Sequence, residues 1–393
     1  MNDTVSEVKK RIDIVDFIGS FISLKRSGRN FKAICPFHQE KTPSFVVSPE
    51  RQIWHCFGSC SEGGDIIKFL MKWENLTFYE ALKELADKAG IKIKSTPFED
   101  RVWKKKERII KLNTLTADYF SYVLQDSKYG NKAVDYLKSR NINLKIAKKF
   151  NLGYAPNSWD SLYNFLSKKK FEKEELFEAG LIVSGKSQSY YDRFRGRIIF
   201  PISDARGNII AFSGRLLDDE AKEAKYINSP ETPVYHKRES LYGINLAKDK
   251  IRKENNVYIV EGEFDVISMY QKGFENSVAI KGSAFTRDQL MYLKRYTNTL
   301  TLALDADASG EEAMKRALED AENLEFEVKI AIIDFAKDPD EAIKKDFEAF
   351  KKALKNSISI YDFIISYAQK RHPDTDAFSK KKIADIVIPF IEK

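Results

Sequence analysis

Apolar residues near the N-terminus recur at helical spacing, and strand-like alternation follows them. The spacing predicts one amphipathic helix from about Val5 into the twenties. Three short β-strands are predicted after Gly28, and helical residues resume near Asp65. The positions concerned are Val8, Ile12, Val15 and Ile22 in the helix, and residues 31–34, 44–47 and 52–57 in the strands.

The segment Thr77-Phe-Tyr-Glu80 has the form of a capping box, because the Thr hydroxyl and the Glu carboxylate can each satisfy a backbone N–H of the first helical turn. Gly90 suits the end of the same helix. A polar stretch from Lys94 then leads into a charged run at 101–108. We therefore predict an interdomain hinge here, followed by a new helix.

The rest of the chain separates into regions of different periodicity. Residues 112–190 and those after 341 are predicted to be mostly helical. Strands at 198–202 and 209–212 dominate the stretch from Arg193 to Tyr242. Short buried strands then alternate with helices, which predicts a parallel sheet flanked by helices. These strands are predicted at 257–260, 277–281, 299–304 and 328–333, and the helices at 264–273, 286–295 and 309–323.

The composition favours globular domains, and 393 residues suffice for roughly two to three of them. No run approaches the roughly 18 apolar residues of a membrane span, and the mean hydropathy is −0.44. The N-terminus has no signal-peptide core, so we expect a cytoplasmic protein with no membrane partner. The net charge of +8 fits a polyanionic partner and a basic solvated surface equally well.

All three cysteines fall in one short segment. Cys35-Pro-Phe-His38 and Cys56-Phe-Gly-Ser-Cys60 each place two ligands around a tight turn. Two such pairs can surround tetrahedral Zn(II) in a closed structural site. The alternative is three ordinary buried cysteines and a surface histidine. His55 is a weaker candidate, because it neighbours Cys56 on a strand and should point to the opposite face.

Aromatic residues alternate with cations around this zinc motif. Such a surface suits single-stranded nucleic acid, because bases stack on the rings and phosphates pair with the cations. The alternative is that the rings form the core of a small domain. We predict the core position for Phe45 and Phe57, and a functional role for the basic residues. The surrounding residues are Phe31, Lys32, Phe37, Lys41, Phe45, Arg51, Trp54 and Phe57.

Acidic motifs follow three of the predicted parallel strands. Loops at the carboxyl ends of parallel strands meet in one crevice, and converging carboxylates need a cation such as Mg(II). The alternative is that each acid is a separate solvated turn residue. The acids are Glu261 after the first strand, Asp305 and Asp307 after the third, and Asp338 and Asp340 beyond the fourth.

Basic residues that could contact a triphosphate or a template lie before the predicted sheet and after its second strand. Each of them is individually as well explained by a solvated surface. No Gly-x-x-x-x-Gly-Lys-Ser/Thr loop is present, which argues against a P-loop ATPase. The residues are Arg195, Arg197, Arg215, Lys225, Lys237 and Lys281.

Together these motifs resemble the bacterial DNA primase family over essentially the whole chain. The zinc motif resembles that family's closely, and the acidic motifs resemble a Toprim core. Ser59 is one residue more than the family's usual Cys-x-x-Cys pair, and the chain ends where the family normally continues into a helicase-binding domain. The matching segments are 35–45, 55–58, 193–197, 225–232, 241–243, 261–265, 305–307 and 338–340.

The resemblance implies an α+β multidomain protein with an N-terminal zinc-ribbon module, a mixed α+β subdomain, an α/β Toprim parallel-sheet core and C-terminal helices. The expected division is a zinc-binding domain at 1–98, a linker at 99–111, an N-terminal subdomain of the polymerase core at 112–243, a Toprim subdomain at 244–340 and a helical subdomain at 341–393.

The resemblance also implies a DNA-dependent RNA polymerase that makes short RNA primers on single-stranded DNA from ribonucleoside triphosphates. We expect a monomer that works with the replicative helicase and uses structural Zn(II) and catalytic Mg(II) or Mn(II). The catalytic metal set falls on Glu261, Asp305 and Asp307, with Asp265, Asp338 and Asp340 supporting, and nucleotide and template contacts fall on Arg215, Lys225 and Lys237.

Two other classes of function remain as alternatives. A Toprim nuclease would cut DNA without using ribonucleotides. A topoisomerase would need a nucleophilic tyrosine in a strand-passage domain, for which the chain has no room. A non-catalytic zinc-containing DNA-binding protein would keep its DNA affinity after Asp305→Ala and would give no metal-dependent product.

Overall fold

The computed structural model describes residues 2–38, 40, 42–74, 76–93, 97–126, 128–185, 189–218, 223–280, 285–303, 319–374 and 376–391. The chain divides into two compact units, Met1–Arg108 and Ile109–Lys393. Helix α5 (Pro97–Asp126) includes the division between them. The residues expected to form a linker, 99–111, are therefore helical. None of the described helices has the length and apolar character needed to cross a membrane.

The N-terminus forms two helices, α1 (Asn2–Arg11) and α2 (Ile14–Gly19), so the prediction of one continuous helix was wrong. The break lies at Asp13, whose backbone is extended and whose Oδ1 accepts the N–H groups of Val15 and Asp16. An Asp side chain that caps a helix in this way begins a new helix even where the apolar spacing continues.

The first unit is built on an antiparallel sheet in the order β1-β2-β3-β4-β5. The predicted strands and the helices after Asp65 and Thr77 are present. Thr77 and Glu80 form the expected capping box, and Gly90 ends α4 in the left-handed conformation with φ of 68°. The elements are β1 (Lys25–Ser27), β2 (Asn30–Ala33), β3 (Phe45–Ser48), β4 (Ile53–Cys56), β5 (Gly63–Gly64), α3 (Ile66–Glu74) and α4 (Phe78–Ala89).

An aromatic cluster forms the core of this unit. Phe45 stacks on Trp54 with ring centroids 5.0 Å apart, and Phe69 contacts both rings. The prediction for Phe45 is confirmed, since this side chain is fully buried. The prediction for Phe57 was wrong, because its side chain is 74% exposed. Trp54 and Cys56 of β4 face the core. Because successive side chains of a strand point to opposite faces, His55 and the following Phe57 point away from the core.

The second unit opens with helices, as predicted, and adds short strands. Strand β6 joins the second sheet, and β7 and β8 form a hairpin of their own. The elements after α5 are a 3-10 turn (Lys128–Gly130), α6 (Asn131–Ser139), α7 (Leu144–Lys149), β6 (Gly153–Ala155), α8 (Ser161–Lys168), α9 (Lys173–Glu178), β7 (Ile182–Ser184) and β8 (Tyr190–Asp192).

The second sheet is antiparallel, in the order β11-β10-β9-β6. Strands β9 (Arg197–Ser203) and β10 (Ile209–Leu216) include both predicted strands and are buried along almost their whole length. Strand β11 (Tyr226–Asn228) pairs with the end of β10, so that Tyr226 lies opposite Arg215. This pairing brings a basic residue and an aromatic residue together at one sheet edge.

The third sheet confirms the predicted parallel arrangement. Its order is β13-β12-β14-β15-β16, and the first four strands are parallel. Tyr242 adds an antiparallel bridge to Ala279 on the outer side of β13. The elements are α10 (Ile244–Glu254), β12 (Val257–Val260), α11 (Glu263–Gln271), β13 (Ser277–Ala279), α12 (Arg287–Lys294), β14 (Thr299–Leu302) and β15 (Glu327–Ile330).

The chain after residue 338 is helical, as predicted, apart from a two-residue edge strand. The bounds are α13 (Pro339–Lys345), α14 (Phe347–Lys355), β16 (Ile358–Ser359), α15 (Ile360–Arg371) and α16 (Ala377–Ile391). Phe350 of α14 is fully buried in the core that also contains Phe264 of α11. Ala342 and Ile343 of α13 lie in the same core, so α11 and α13, which both carry predicted site residues, pack against each other.

Candidate functional site

The predicted zinc ligands converge in the first unit. Cys35 and His38 lie in the turn after β2, Cys56 ends β4, and Cys60 lies in the turn before β5. Their ligand atoms all lie within 4.8 Å of one another, with 3.7 Å between Sγ of Cys35 and Sγ of Cys60. A tetrahedral zinc site with bonds of about 2.3 Å has edges of about 3.7 Å. The donor set and its spacing therefore fit Zn(II).

The surroundings of the three cysteine thiols also favour a bound cation. Burial raises the pKa of Cys35 and of Cys60. For Cys56 burial acts in the same direction, but hydrogen bonds from Ser44 and from the Gly58 N–H outweigh it and lower the pKa. Thiolates in such an enclosed place are stabilised by a metal ion, which releases their protons on binding.

Glu40 stabilises the backbone around the zinc site. Its Oε1 accepts the N–H groups of Cys35 and Ser44 at 2.7 and 2.8 Å. Burial opposes its ionisation, yet these hydrogen bonds and the neighbouring His38 lower its pKa overall. Gly58 is required by close packing, because a Cβ there would lie 2.5 Å from Nε2 of His38.

The opposite face of this sheet is open. His55 is exposed, as predicted, and its ring lies 4.6 Å from that of Phe57. Lys32 and Arg51 are also exposed, whereas Trp54 is buried. Lys41 lies outside the described residues. The exposed rings and cations form a surface of the kind that stacks bases and pairs phosphates.

The acidic motifs are described in part. Glu261 follows β12 directly, Asp265 lies in the first turn of α11, and Asp338 and Asp340 begin α13. Asp305 and Asp307 lie outside the described residues. Within the described ranges, the four zinc ligands are the one converging group of three or more potential metal-binding side chains.

Two of these acids are joined directly. Oδ1 of Asp265 accepts the backbone N–H of Asp340 at 3.0 Å, and its Oδ2 accepts the N–H of Gly262 at 3.1 Å. Asp338 acts as the N-cap of α13 and accepts the N–H of Glu341 at 2.7 Å. The structure thus brings the β12 and β15 motifs to the same edge of the parallel sheet.

Two arginines lie on the same pair of rings beside these acids. The guanidinium of Arg140 is 5.0 Å from the Phe264 ring, and that of Arg215 is 4.8 Å from the Tyr136 ring and 5.7 Å from Phe264. Burial and the charge of Glu263 raise the pKa of Tyr226, and the two arginines oppose that shift. A cationic, aromatic wall therefore borders the acidic edge.

Two charged residues that the sequence reasoning did not single out border the acidic edge: Arg140, which pairs with Asp340, and Glu263, which begins α11. Glu263 stands inside the 261–265 acidic motif, so the motif itself offered that signal. Arg140 lies about 120 residues before the sheet, directly after α6, and no local pattern distinguishes it from the other basic residues of that region.

The other predicted basic residues differ in their surroundings. Arg197 is 2% exposed, and its Nη1 donates to the carbonyl oxygens of Ala224 and Lys225 at 2.8 and 3.2 Å. Arg197 therefore fixes the backbone of residues 223–225 through these hydrogen bonds. The side chains of Lys225 and Lys237 are exposed. Lys281 lies outside the described residues.

Arg195 belongs to an exposed aromatic cluster that the sequence reasoning also missed. Its guanidinium lies 4.3 Å from the Trp159 ring and 5.1 Å from the Tyr191 ring. Trp159 is 65% exposed. An exposed tryptophan beside an arginine is uncommon on a globular surface, and this isolated Trp in a turn was the available signal.

Three family models match successive parts of the chain. The CHC2 zinc finger matches residues 1–100, the DNA primase catalytic core N-terminal domain matches 119–248, and a Toprim-like model matches 258–343. A zinc finger followed by a Toprim-type catalytic core is the class of protein that the fold and the two sites define.

Comparison with known proteins identifies the family within this class. The crystal structure of the Aquifex aeolicus primase zinc-binding and RNA polymerase domains is 32% identical with a TM-score of 0.62, and the match covers 99% of this chain and 97% of that one. A Clostridium acetobutylicum DNA primase is 42% identical over 100% of this chain and 65% of its own length. A Listeria monocytogenes DNA primase is 38% identical over 94% of this chain and 60% of its own length. The chain belongs to the bacterial DNA primase family.

The cofactors follow from this membership and from the residues present. Zn(II) is held by Cys35, His38, Cys56 and Cys60, and the Toprim-type core takes Mg(II) or Mn(II). Glu261 and the neighbouring acids offer the oxygen ligands that these hard ions prefer. The chain spans about 60–65% of the length of the curated relatives it matches.

Proposed function

We propose that the chain is a primase, a polymerase that makes short RNA primers on single-stranded DNA from ribonucleoside triphosphates. The observation that carries the proposal is the hydrogen bond from the backbone N–H of Asp340 to Asp265, which joins two acidic motifs at the carboxyl edge of the parallel sheet, beside Arg140 and Arg215. Carboxylates next to fixed cations suit a reaction in which metal-bound phosphates must be held and neutralised.

In this proposal the acids and the basic residues divide the work. Glu261, Asp305 and Asp307 would hold the divalent ions, with Asp265 and Asp338 supporting them. Divalent ions held there would lower the pKa of the primer 3′-hydroxyl and neutralise the triphosphate. Arg215 approaches the triphosphate from the aromatic wall, and the exposed Lys225 and Lys237 add positive charge around it. In-line attack on the α-phosphate then releases pyrophosphate.

Template binding is assigned to two aromatic surfaces. One is the open face of the zinc-binding sheet, with Lys32, Arg51 and Phe57. The other is the Trp159–Tyr191–Arg195 cluster of the second unit. Both combine exposed rings with cations, which bind single strands without reading a particular base. A solved structure 29% identical to this chain is that of the DnaG primase catalytic domain bound to ssDNA.

The finer assignments are the replicative helicase as partner, a monomeric state and a cytoplasmic location. The helicase partner and the location follow from the proposed activity, since primers are made where the chromosome is replicated, and the monomeric state is part of the same proposal. The zinc-binding unit is assigned to template binding and the choice of start site, and it takes no part in the chemistry.

The test is an assay for new RNA on single-stranded DNA with all four ribonucleoside triphosphates and Mg(II) or Mn(II). Wild type is compared with Asp305→Ala and with a control, Asp334→Ala, which removes an exposed acid beyond β15. We expect short template-dependent RNA from wild type and the control, and none from Asp305→Ala. Cutting of the DNA without RNA would favour a Toprim nuclease. Unchanged DNA affinity without any product would favour a binding protein.

A further inference from the structure

Asp340 was grouped by sequence with the metal-binding acids, but its surroundings differ from those of a metal ligand. Its side chain is 2% exposed. Its Oδ1 accepts the hydroxyl of Ser268, and its Oδ2 accepts both Nη1 of Arg140, at 2.9 Å, and Nζ of Lys344. Three side chains from three separate segments thus meet on one carboxylate.

Counting acceptor sites shows how little of this carboxylate remains. An ionised carboxylate offers about four lone-pair positions. The two on Oδ2 are taken by cations, and one on Oδ1 is taken by Ser268. A divalent ion on Oδ2 would have to displace Arg140 or Lys344 and would be repelled by the cation that stayed, because like charges a few ångströms apart in an enclosed site interact strongly.

The same contacts give Asp340 a different task. Arg140 lies directly after α6 and reaches across to α11, where its guanidinium stacks on Phe264. The ion pair with Asp340 fixes this reach, since one end of the guanidinium is bonded and its face lies on the ring. The backbone N–H of Asp340 also holds Oδ1 of Asp265, so α13 fixes one cation and one acid at the same time.

We infer that Asp340 is a positioning residue and not a metal ligand: it fixes the Arg140 guanidinium beside the acidic edge, where a nucleoside triphosphate binds. This inference rests on the proposed function. Lys344, one turn further along α13, gives Oδ2 of Asp340 a second cationic donor beside Arg140. Loss of the Asp340 charge therefore weakens nucleotide binding and leaves the metal ions in place.

The test uses two binding measurements that need no RNA synthesis. Binding of Mn(II) to the zinc-loaded protein is followed by electron paramagnetic resonance, and binding of a fluorescent ribonucleoside triphosphate by anisotropy. Asp340→Asn is compared with Glu261→Gln. We expect Asp340→Asn to change the Mn(II) affinity by less than about threefold and to weaken nucleotide binding about tenfold or more, as losses of supporting partners do. Glu261→Gln is expected to weaken Mn(II) binding.

A second comparison shows whether the effect passes through Arg140. Arg140→Gln alone and Arg140→Gln with Asp340→Asn should weaken nucleotide binding by the same factor, because Asp340 has nothing left to hold. Additive losses would overturn the inference. So would a large loss of Mn(II) binding in Asp340→Asn, or unchanged nucleotide binding.

Two controls separate this result from unfolding and from failure of the proposed function. Ser268→Ala removes one hydrogen bond to Asp340 but keeps both cations, and it should retain nucleotide binding; a loss as large as that of Asp340→Asn would contradict the inference. Thermal unfolding of each variant shows whether the fold is intact. If wild type binds Mn(II) and nucleotide but makes no RNA, the proposed polymerase fails while the role of Asp340 is still decided.

Discussion

Oε2 of Glu40 lies 3.3 Å from Nε2 of His38, while Nδ1 of the same ring faces Sγ of Cys56 at 3.6 Å. The two ring nitrogens thus have separate partners. A carboxylate on Nε2 keeps the proton there and leaves Nδ1 as the electron-pair donor. The structure therefore assigns Nδ1 of His38 as the zinc ligand. Glu40 fixes the orientation of the imidazole ring through its contact with Nε2.

We predict that Glu40→Gln weakens zinc binding about 10- to 100-fold, because supporting partners of this kind tune ligand basicity and ring orientation. The measurement is competition with a chromophoric chelator. Glu50→Gln, a change at a residue exposed in the 49–52 turn, is the matched control and should leave the affinity unchanged. Equal affinities for wild type and Glu40→Gln would contradict the assigned role of Glu40.

We predict that Cys60→Ser loses zinc while His55→Ala keeps it. Cys60 lies within ligand reach of the other three residues, whereas His55 is on the exposed face of β4. Metal content by mass spectrometry under native conditions checks both. Zinc retained by Cys60→Ser at full stoichiometry would exclude Cys60 from the ligand set.

We predict that substitutions of the two arginines that flank Gly196 affect different properties, stability for Arg197 and DNA binding for Arg195. Arg197→Met should destabilise the second unit by about 1.5–3 kcal/mol, because it removes the charged donor that the buried Arg197 side chain gives to the carbonyl oxygens of Ala224 and Lys225. Arg195→Met should change stability little and weaken binding of single-stranded DNA. Urea unfolding and a DNA titration separate the two roles. Similar stability losses in both variants would show that the division is wrong.

We predict that Trp159→Ala weakens binding of single-stranded DNA by about 1–3 kcal/mol, the contribution of one base stacked on an aromatic ring. Phe378→Ala is the control, because Phe378 is similarly exposed, at 69%, but lies at the start of α16. Anisotropy of a labelled oligonucleotide measures both. An equal loss from the two variants would indicate a general effect of exposed rings and not a stacking site.

We predict a pH-dependent stability that originates at Asp192. This carboxyl group is buried and accepts the N–H groups of Leu162 and Tyr163, and burial raises its pKa to about 6 from the usual 3.8. Since the folded state binds the proton more tightly, its stabilising contribution is present in full below about pH 4. It falls by about 1.4 kcal/mol per pH unit until about pH 6.

The check is urea unfolding of wild type and Asp192→Asn between pH 4.5 and 7.5. The difference between the two free energies of unfolding should move against wild type as the pH rises toward 6 and then become constant. A difference that does not depend on pH would show that Asp192 does not titrate in this range.

Periodicity and motif spacing predicted much of the fold. The parallel strands, the capping box at Thr77 and the grouping of the cysteines follow from local spacing alone. The first helix shows the limit, because Asp13 is held by the side chain of Gln52, 39 residues away. Phe45 and Phe57 are both aromatic residues beside the zinc ligands, but Phe45 lies on the buried face of β3, whereas Phe57 follows the buried Cys56 of β4 and is exposed.

The candidate site divides in the same way. The acidic motifs could be found because each follows a strand. The contact between Asp340 and Arg140 could not, because Arg140 comes from 200 residues earlier in the chain. Arg197 was grouped with the phosphate-binding residues on charge alone, and its burial depends on tertiary packing that charge does not indicate.

The bridge between Tyr242 and Ala279 also bears on how the protein behaves at high concentration. A sheet ends in strands whose free N–H and C=O groups can pair with another molecule. In the described part of the third sheet, Tyr242 exchanges two hydrogen bonds of 3.0 Å with Ala279 along the outer side of β13, and the other edge is a strand of two residues that leads straight into a helix. Neither edge offers a long template for strand addition, so this catalytic sheet is protected against edge-to-edge aggregation.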